Sequence, residues 1–236
     1  MSLSSLHDAI DNWSLNTDRP FSNLSTKEIV QGAIEGLDLT RPDLEVATIA
    51  LSELEHRTLN AALNGMLEIQ DILTARGHQT IRWLLQARRN LNFLTFDDKP
   101  NENYTNSLYV ILRDGYTEQN GRYGVYVGQT TKTPEDRFEE HMAGINAGNG
   151  LQKNGIQLMR SLMWPWQKVP GAMRLYYESA LHRALEIGNT SGPKISGDAK
   201  AVETWPAEFQ EPLAKLVESH KKTDQFNVNN HPTFLD

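Results

Sequence analysis

Two tyrosines, an arginine and a histidine fall close together in the middle of this sequence. They lie in Ser107-Leu-Tyr-Val-Ile111, Tyr123-Gly-Val-Tyr-Val-Gly-Gln-Thr130 and Arg137-Phe-Glu-Glu-His141. Phenols, a guanidinium and an imidazole have little reason to gather in an ordinary core, but together they can grip a phosphodiester and move a proton. An arginine forms bidentate charge-assisted pairs with phosphate oxygens, which positions the reacting group and neutralises developing charge. Arg137 and His141 stand at i and i+4, so a single helix face can turn both toward one phosphate. With a carboxylate further along the chain as a metal ligand, such a set can hydrolyse DNA.

The elements that must position these side chains can be read from the pattern. Residues 108–112 and 123–127 are β-rich, and Asn120-Gly121 marks a hairpin loop between them over 116–122. Thr133-Pro-Glu-Asp136 opens a helix with a Thr N-cap, proline in the first turn and acids at the positive dipole end. That helix is expected to run to about Ile145 and to end in the glycine-rich 146–150. A helix over 151–162, a short aromatic strand over 164–169 and a helix over 172–187 complete the expected core.

Ahead of it, residues 1–95 read as helical. Ser25-Thr-Lys-Glu28 has the form of a capping box. Thr40-Arg-Pro-Asp43 starts a second helix. Leu44, Ile49, Leu51, Leu54, Leu59, Leu63, Met66 and Ile69 recur at helical spacing, with Gly77 as a stop. A further helix over 80–91 carries Arg82, Arg88 and Arg89. Residues 67–91 could form a helix-turn-helix reader of DNA, but an accessory or dimerising helical layer fits the acidic balance of this half better. Residues 96–106 lack periodicity and read as a linker, and 201–236 as a short helix and tail. The expected organisation is thus a helical accessory domain (1–95), a linker (96–106), a core domain (107–200) and a C-terminal helix and tail (201–236).

Net charge is −7 over 236 residues, an unpromising total for a nucleic-acid enzyme. Its distribution softens the objection: residues 106–200 carry 11 basic and 9 acidic side chains, and only this segment is positive. Zero cysteines exclude disulfides and thiolate metal sites. The longest apolar runs fall far short of the roughly 18 residues a membrane span needs. The N-terminus lacks the pattern of a secretory signal, so an intracellular, cytoplasmic protein without membrane contact is expected.

The ordered set resembles the GIY-YIG nuclease superfamily over roughly residues 106–195. Leu108-Tyr-Val110 stands at the first motif, with leucine where the family name has glycine, and Tyr126-Val-Gly128 at the second. Gln129, Thr130, Arg137 and His141 continue the pattern. The resemblance implies an α+β fold with a three-stranded antiparallel sheet flanked by helices, here preceded by an all-helical N-terminal domain. It implies catalytic roles for Tyr109, Tyr126, Arg137, His141 and Glu178. Glu178 would be the ligand of Mg²⁺ or Mn²⁺, which takes few protein carboxylates and keeps several waters. Gly128, Gln129, Thr130 and Asn189 stand as substrate-binding positions, with Asn189 in a weakly matching context.

The expected activity is metal-dependent endonucleolytic hydrolysis of DNA, in a restriction, mobile-element or repair setting. DNA is the expected partner, and a second copy of the chain is a candidate one. A tyrosine is a poor base at its ordinary pKa of about 10. The favoured arrangement has Tyr109 as the base, Tyr126 orienting the water and His141 accepting or relaying the proton. Two rivals stand beside this reading. One is a catalytically silent scaffold of the same type that binds nucleic acid or a protein, and the other is an RNA-directed nuclease. Trp164 and Trp166 could stack on bases, though packing of the third strand explains them better.

Overall fold

A computed structural model of the chain describes residues 3–13, 19–57, 60–92, 94, 104–115, 123–148, 150–163, 168–187, 193, 195–197 and 199–229. The expected linker (apart from 104–106), the 116–122 loop, Trp164, Trp166, Asn189 and the last residues of the expected tail lie outside these. Among the described residues no helix is long and apolar enough to cross a membrane.

Among the described residues five helices lead the chain: α1 (Leu3–Asp11), α2 (Thr26–Leu37), α3 (Leu44–Glu55), α4 (Asn60–Ala75) and α5 (Leu84–Leu91). The capping box forms as expected, with Ser25 Oγ accepting from Glu28 N and Glu28 Oε2 accepting from Ser25 N. Asp43 caps α3 by accepting from Val46 N at 3.0 Å. The helical pattern expected from Leu44 onward is two helices, Leu63 on α4 is exposed rather than core, and Leu59 lies outside the described residues. Arg88 on α5 turns inward: Nη2 donates to the Trp13 carbonyl at 2.9 Å, and the guanidinium lies over the Trp13 ring. That side chain is structural and offers nothing to a DNA groove.

Strands β1 (Ser107–Arg113) and β2 (Gly124–Thr130) pair antiparallel, with Tyr109 opposite Gly128 and Ile111 opposite Tyr126. Helices α6 (Pro134–Met142) and α7 (Leu151–Asn154) follow, then β3 (Gly155–Leu158), α8 (Arg160–Met163), α9 (Arg174–Glu186), β4 (Ile195–Ser196) and α10 (Ala207–Asn229). The sheet order is β3-β1-β2-β4, with β3 antiparallel to β1 and β4 parallel to β2. The protein is therefore α+β with one mixed four-stranded sheet.

Three expectations are corrected here. The helix expected over 151–162 is broken by β3, because its backbone finds partners on β1 and the following Met159 N donates to Val110 O at 2.8 Å. The third strand accordingly lies at 155–158 and not at 164–169, where Val169 makes an isolated bridge to Asn106. At the C-terminus a long helix replaces the short one, docking Phe209 against the rings of Tyr176 and Tyr177 on α9.

Alternation along β1 and β2 separates two apolar layers, since successive side chains point to opposite faces. Leu108, Val110, Leu112, Val125 and Val127 join the N-terminal helices and α9 in one large core. Tyr109 and Ile111 pack on the other face with Phe138 of α6, Leu151 of α7 and Met163 of α8. The N-terminal helices are also tied to the sheet region by polar contacts. Trp83 Nε1 donates to Tyr123 O, and Asn90 Nδ2 donates to the carbonyls of Ala184 and Ile187 at the end of α9.

Glu45 on α3 is a further buried tie. Its carboxylate accepts from the backbone N–H groups of Arg160 and Ser161, at 2.8 and 2.9 Å, and from the Ser161 hydroxyl. It thereby supplies the start of α8 with the acceptors a helix N-terminus lacks. Burial, reinforced by the negative charge of Asp43 and opposed by the Ser161 and Arg160 bonds, pushes its carboxyl from 4.5 up to about 7. The folded protein then takes up a proton that the unfolded chain does not hold. This contribution is complete below about pH 4.5 and is lost as pH rises through about 7. Glu45→Gln cannot titrate. The stability advantage of wild type over the variant is therefore expected to grow by about 1.4 kcal/mol per pH unit between pH 7 and 4.5. Urea unfolding of both proteins across that range measures it; a constant difference would refute the assignment.

Candidate active site

The register of β1 and β2 sets the two tyrosines on one face of the sheet, diagonal to each other. Their ring centroids are 6.1 Å apart, and each lies within 5.7 Å of the His141 ring centroid. Gly128 stands opposite Tyr109 for a steric reason. A Cβ at that position would come within 2.5 Å of the Tyr109 hydroxyl and 2.8 Å of the Tyr126 ring, so the phenols rest where a side chain would otherwise be.

Helix α6 carries Arg137 and His141. It begins as expected, with Thr133 Oγ1 accepting from Asp136 N and Pro134 in the first turn, but ends at Met142, earlier than the pattern indicated. The two side chains share a helix face but not a role. His141 is fully buried behind Tyr109. Its Nδ1 accepts a hydrogen bond from Gly148 N at 3.2 Å, and its Nε2 lies 2.8 Å from the Tyr109 hydroxyl oxygen. Because Nδ1 accepts, the neutral ring must carry its proton on Nε2 and donate it to Tyr109. This corrects two expectations: His141 does not face the cleft, and it holds the phenol as a donor instead of receiving its proton.

Electrostatics agree with a neutral imidazole. Burial, with the adjacent positive charge of Arg137 and against the weaker pull of Glu140, lowers His141 from 6.5 to about 4. NMR titration of the ring is expected to give a midpoint near 4, with no titration near 6.5. A midpoint at 6 or above would mean that the ring is not held in this way. The Tyr109 phenol moves the other way. Burial pushes it well above the ordinary range and Tyr126 adds to the shift, while the Arg137 guanidinium opposes it.

Arg137 is anchored by Glu140 Oε2 at 3.0 Å, by the Asn146 carbonyl at 2.8 Å and by the Ile145 carbonyl at 3.4 Å. Glu140 also pairs with Lys132. A guanidinium has five N–H donors, so this anchoring leaves donors over for an anion. Glu178 on α9 is 2% exposed, and its Oε2 accepts from Gln129 Nε2 at 3.2 Å.

Tyr109, Tyr126, Gly128, Gln129, Arg137 and Glu178 all line one cleft of about 600 Å³. Glu178 is the one carboxylate among the described residues lining it. Among the described residues no group of three or more His, Asp or Glu gathers as a metal site. Among the described residues, a divalent ion here would find Glu178 as its one protein carboxylate, with water for the rest of its shell. One buried carboxylate opening into a cleft of this volume suits hydrated Mg²⁺ or Mn²⁺, which keeps most of its water shell. Thr130 lines a neighbouring groove instead; its hydroxyl accepts from Lys132 N in the turn after β2.

The cleft also contains residues that the sequence reading missed. Arg113, Asn154 and Ser196 line it, together with Gly148, Gly150 and Gly197. Arg113 could have been found, since it follows Tyr109 and Ile111 at the two-residue strand period. The others come from the end of the four-residue helix α7, from loops and from a two-residue strand, where no local pattern points to the cleft. No family model, curated protein or solved structure matches this chain.

Proposed function

We propose that this protein is a metal-dependent endonuclease that hydrolyses DNA phosphodiesters in the manner of the GIY-YIG nucleases it resembles. We take β3-β1-β2 as the antiparallel sheet of that type and β4 as an addition to it. One observation carries the reading: side chains from β1, β2, α6 and α9 converge on a single cleft, with two phenols, two guanidinium groups and, among the described residues, one carboxylate in its walls. An ordinary core would not gather these groups around open volume.

Each residue has a task that follows from its surroundings. Arg137 holds the non-bridging oxygens of the reacting phosphate and offsets the charge that builds there. Tyr109, as phenolate, takes a proton from the attacking water, whose oxygen forms the new bond to phosphorus. The bond from phosphorus to the leaving oxygen breaks, and solvent protonates that oxygen. His141 donates Nε2–H to the Tyr109 oxygen, which lowers the cost of the phenolate and fixes its direction. Tyr126, half-buried beside it, orients the water. Glu178 would hold Mg²⁺ or Mn²⁺, whose chemistry is to polarise the phosphoryl oxygen and stabilise the leaving group.

Incubation of the purified protein with supercoiled plasmid and Mg²⁺ or Mn²⁺ is the direct test. Conversion to nicked or linear DNA is the expected result, abolished by EDTA. Plasmid left intact across several divalent metals and DNA forms would overturn the proposal. RNA of the same sequence, run in parallel, separates the RNA-directed alternative.

A further inference from the structure

The groove beside the cleft has no part in the proposed chemistry. It encloses about 680 Å³, and Gln129 and Arg137 wall both spaces, so a strand held in the cleft by Arg137 can continue into it. The described residues lining the groove include three cations, Lys132, Arg137 and Arg174, and one anion, Glu140. Glu140 is already shared between Lys132 and Arg137.

Arg174 is different. It opens α9, is exposed, and its Nη1 donates to the neutral Gly171 carbonyl at 2.8 Å. No carboxylate among the described residues pairs with it. A guanidinium has five N–H donors, so most of them remain for an anion. The turn that holds Arg174 is tied to the start of β1. Val169 N donates to Asn106 O at 2.7 Å, and a Cβ on Gly171 would stand 3.0 Å from the Asn106 amide nitrogen. Arg174 and Glu178 stand at i and i+4, so one face of α9 brings Glu178 to the cleft and Arg174 to the groove. The step between them is about one helical turn, comparable to the step between successive phosphates of a strand.

We propose that Arg174 binds the DNA phosphate next to the one held by Arg137, with Thr131 and Asn106 as neutral donors along the same groove. The ligand class is a strand that continues past the cleaved bond on the groove side, as distinct from an isolated phosphodiester. This inference rests on the nuclease reading. Its content is separate, because that reading needs only one phosphate in the cleft.

Two measurements test it. The first follows binding of a fluorescein-labelled DNA duplex in EDTA across a range of KCl concentrations, for wild type, Arg174→Met, Arg174→Lys and Lys215→Met. Lys215 is an exposed cation outside the groove and controls for the loss of one positive charge. Each phosphate neutralised contributes nearly one unit to the slope of log affinity against log salt. Arg174→Met is expected to make the slope shallower by about one unit, and Arg174→Lys and Lys215→Met to retain it. A folded Arg174→Met protein with the wild-type slope would show that Arg174 only closes the turn at Gly171, and would overturn the inference. An equal change in Lys215→Met would overturn it in favour of diffuse charge.

The second measurement places the phosphate. Wild type and Arg174→Met are given a duplex with one mapped nick site, carrying a neutral methylphosphonate at the position on either side of the cleaved bond. For wild type, the neutral linkage on one side is expected to raise KM about tenfold with kcat little changed, as losing a charge-assisted pair remote from the reacting atoms should. In Arg174→Met the same linkage should add almost nothing, because the pair is already broken. Wild-type KM values unmoved by either linkage would overturn the subsite while leaving the nuclease standing. So would an Arg174→Met loss confined to kcat, which would place Arg174 at the reacting phosphate. A wild-type protein that neither binds nor cleaves DNA would overturn the nuclease reading itself.

Discussion

Glu178→Gln is expected to lower the rate of plasmid nicking about a hundred- to a thousandfold at saturating Mg²⁺, with the fold intact. The carboxylate is buried on α9 and lines the cleft alone of its kind among the described residues. Among the described residues lining the cleft, a metal ion held there has no second protein anion to fall back on. Losing the groups that stabilise charge in a phosphoryl-transfer transition state costs about two to three orders of magnitude each. Glutamine keeps the size of the side chain and an oxygen for the Gln129 amide, so packing against that neighbour is preserved. The folded protein loses a buried charge whose desolvation is unfavourable, and its stability should change little. Binding of DNA in EDTA should be unchanged or tighter, because an anion has been removed from an anion-binding surface. Thermal unfolding, metal-free binding and nicking measured on one preparation separate the effects. A glutamine variant nicking within about fivefold of wild type would remove Glu178 from the chemistry.

How far the sequence could lead depended on the range of the interactions involved. The capping box at Ser25 and Glu28, the Thr133 cap with Pro134, and the alternation through Tyr109 and Tyr126 are local. Each was legible because the physics that forms it lies within a few residues. β3 was not legible: Gly155-Ile-Gln-Leu158 sits inside a run that suits a helix, and it becomes a strand through its partners on β1. Two-residue β4 has no pattern at all and exists through β2. Likewise, nothing near Glu45 in the chain marks it as the acceptor for the start of α8, more than a hundred residues away.

The candidate site divides in the same way. Helical spacing placed Arg137 and His141 on one face, and that much holds. Spacing cannot tell which of two neighbours on a face looks into open volume and which stands behind another side chain. Gly148 and Tyr109 decide that for His141 by taking both ring nitrogens. Strand alternation puts Thr130 on the face of Tyr126 and Gly128 and Gln129 on the other, yet Gln129 reaches the cleft and Thr130 lines the neighbouring groove, so alternation alone could not sort them.

The position of His141 sharpens what Tyr109 should do. A phenol pushed up by burial is protonated near neutral pH, and its bonded imidazole already carries a proton on the nitrogen facing it. The active fraction is then the small population of phenolate, which grows tenfold for each pH unit below its pKa. Cleavage with saturating metal is expected to rise with pH at a slope near one from neutral into the alkaline range. It should show no acid limb near 6.5, because the imidazole stays neutral down to about 4. Tyr109→Phe keeps the ring over Gly128 and removes only the hydroxyl. The fold should lose about 1–2 kcal/mol, since a buried Nε2–H is left without its acceptor. The rate should fall about a hundred- to ten-thousandfold, the range for a general base, and the pH slope should vanish with it. Tyr126→Phe, which leaves the Tyr109–His141 pair intact, should keep the slope and lose far less rate. A Tyr109→Phe protein that keeps the alkaline rise would place the base elsewhere in the cleft, with Tyr126 the next group to test by the same profile.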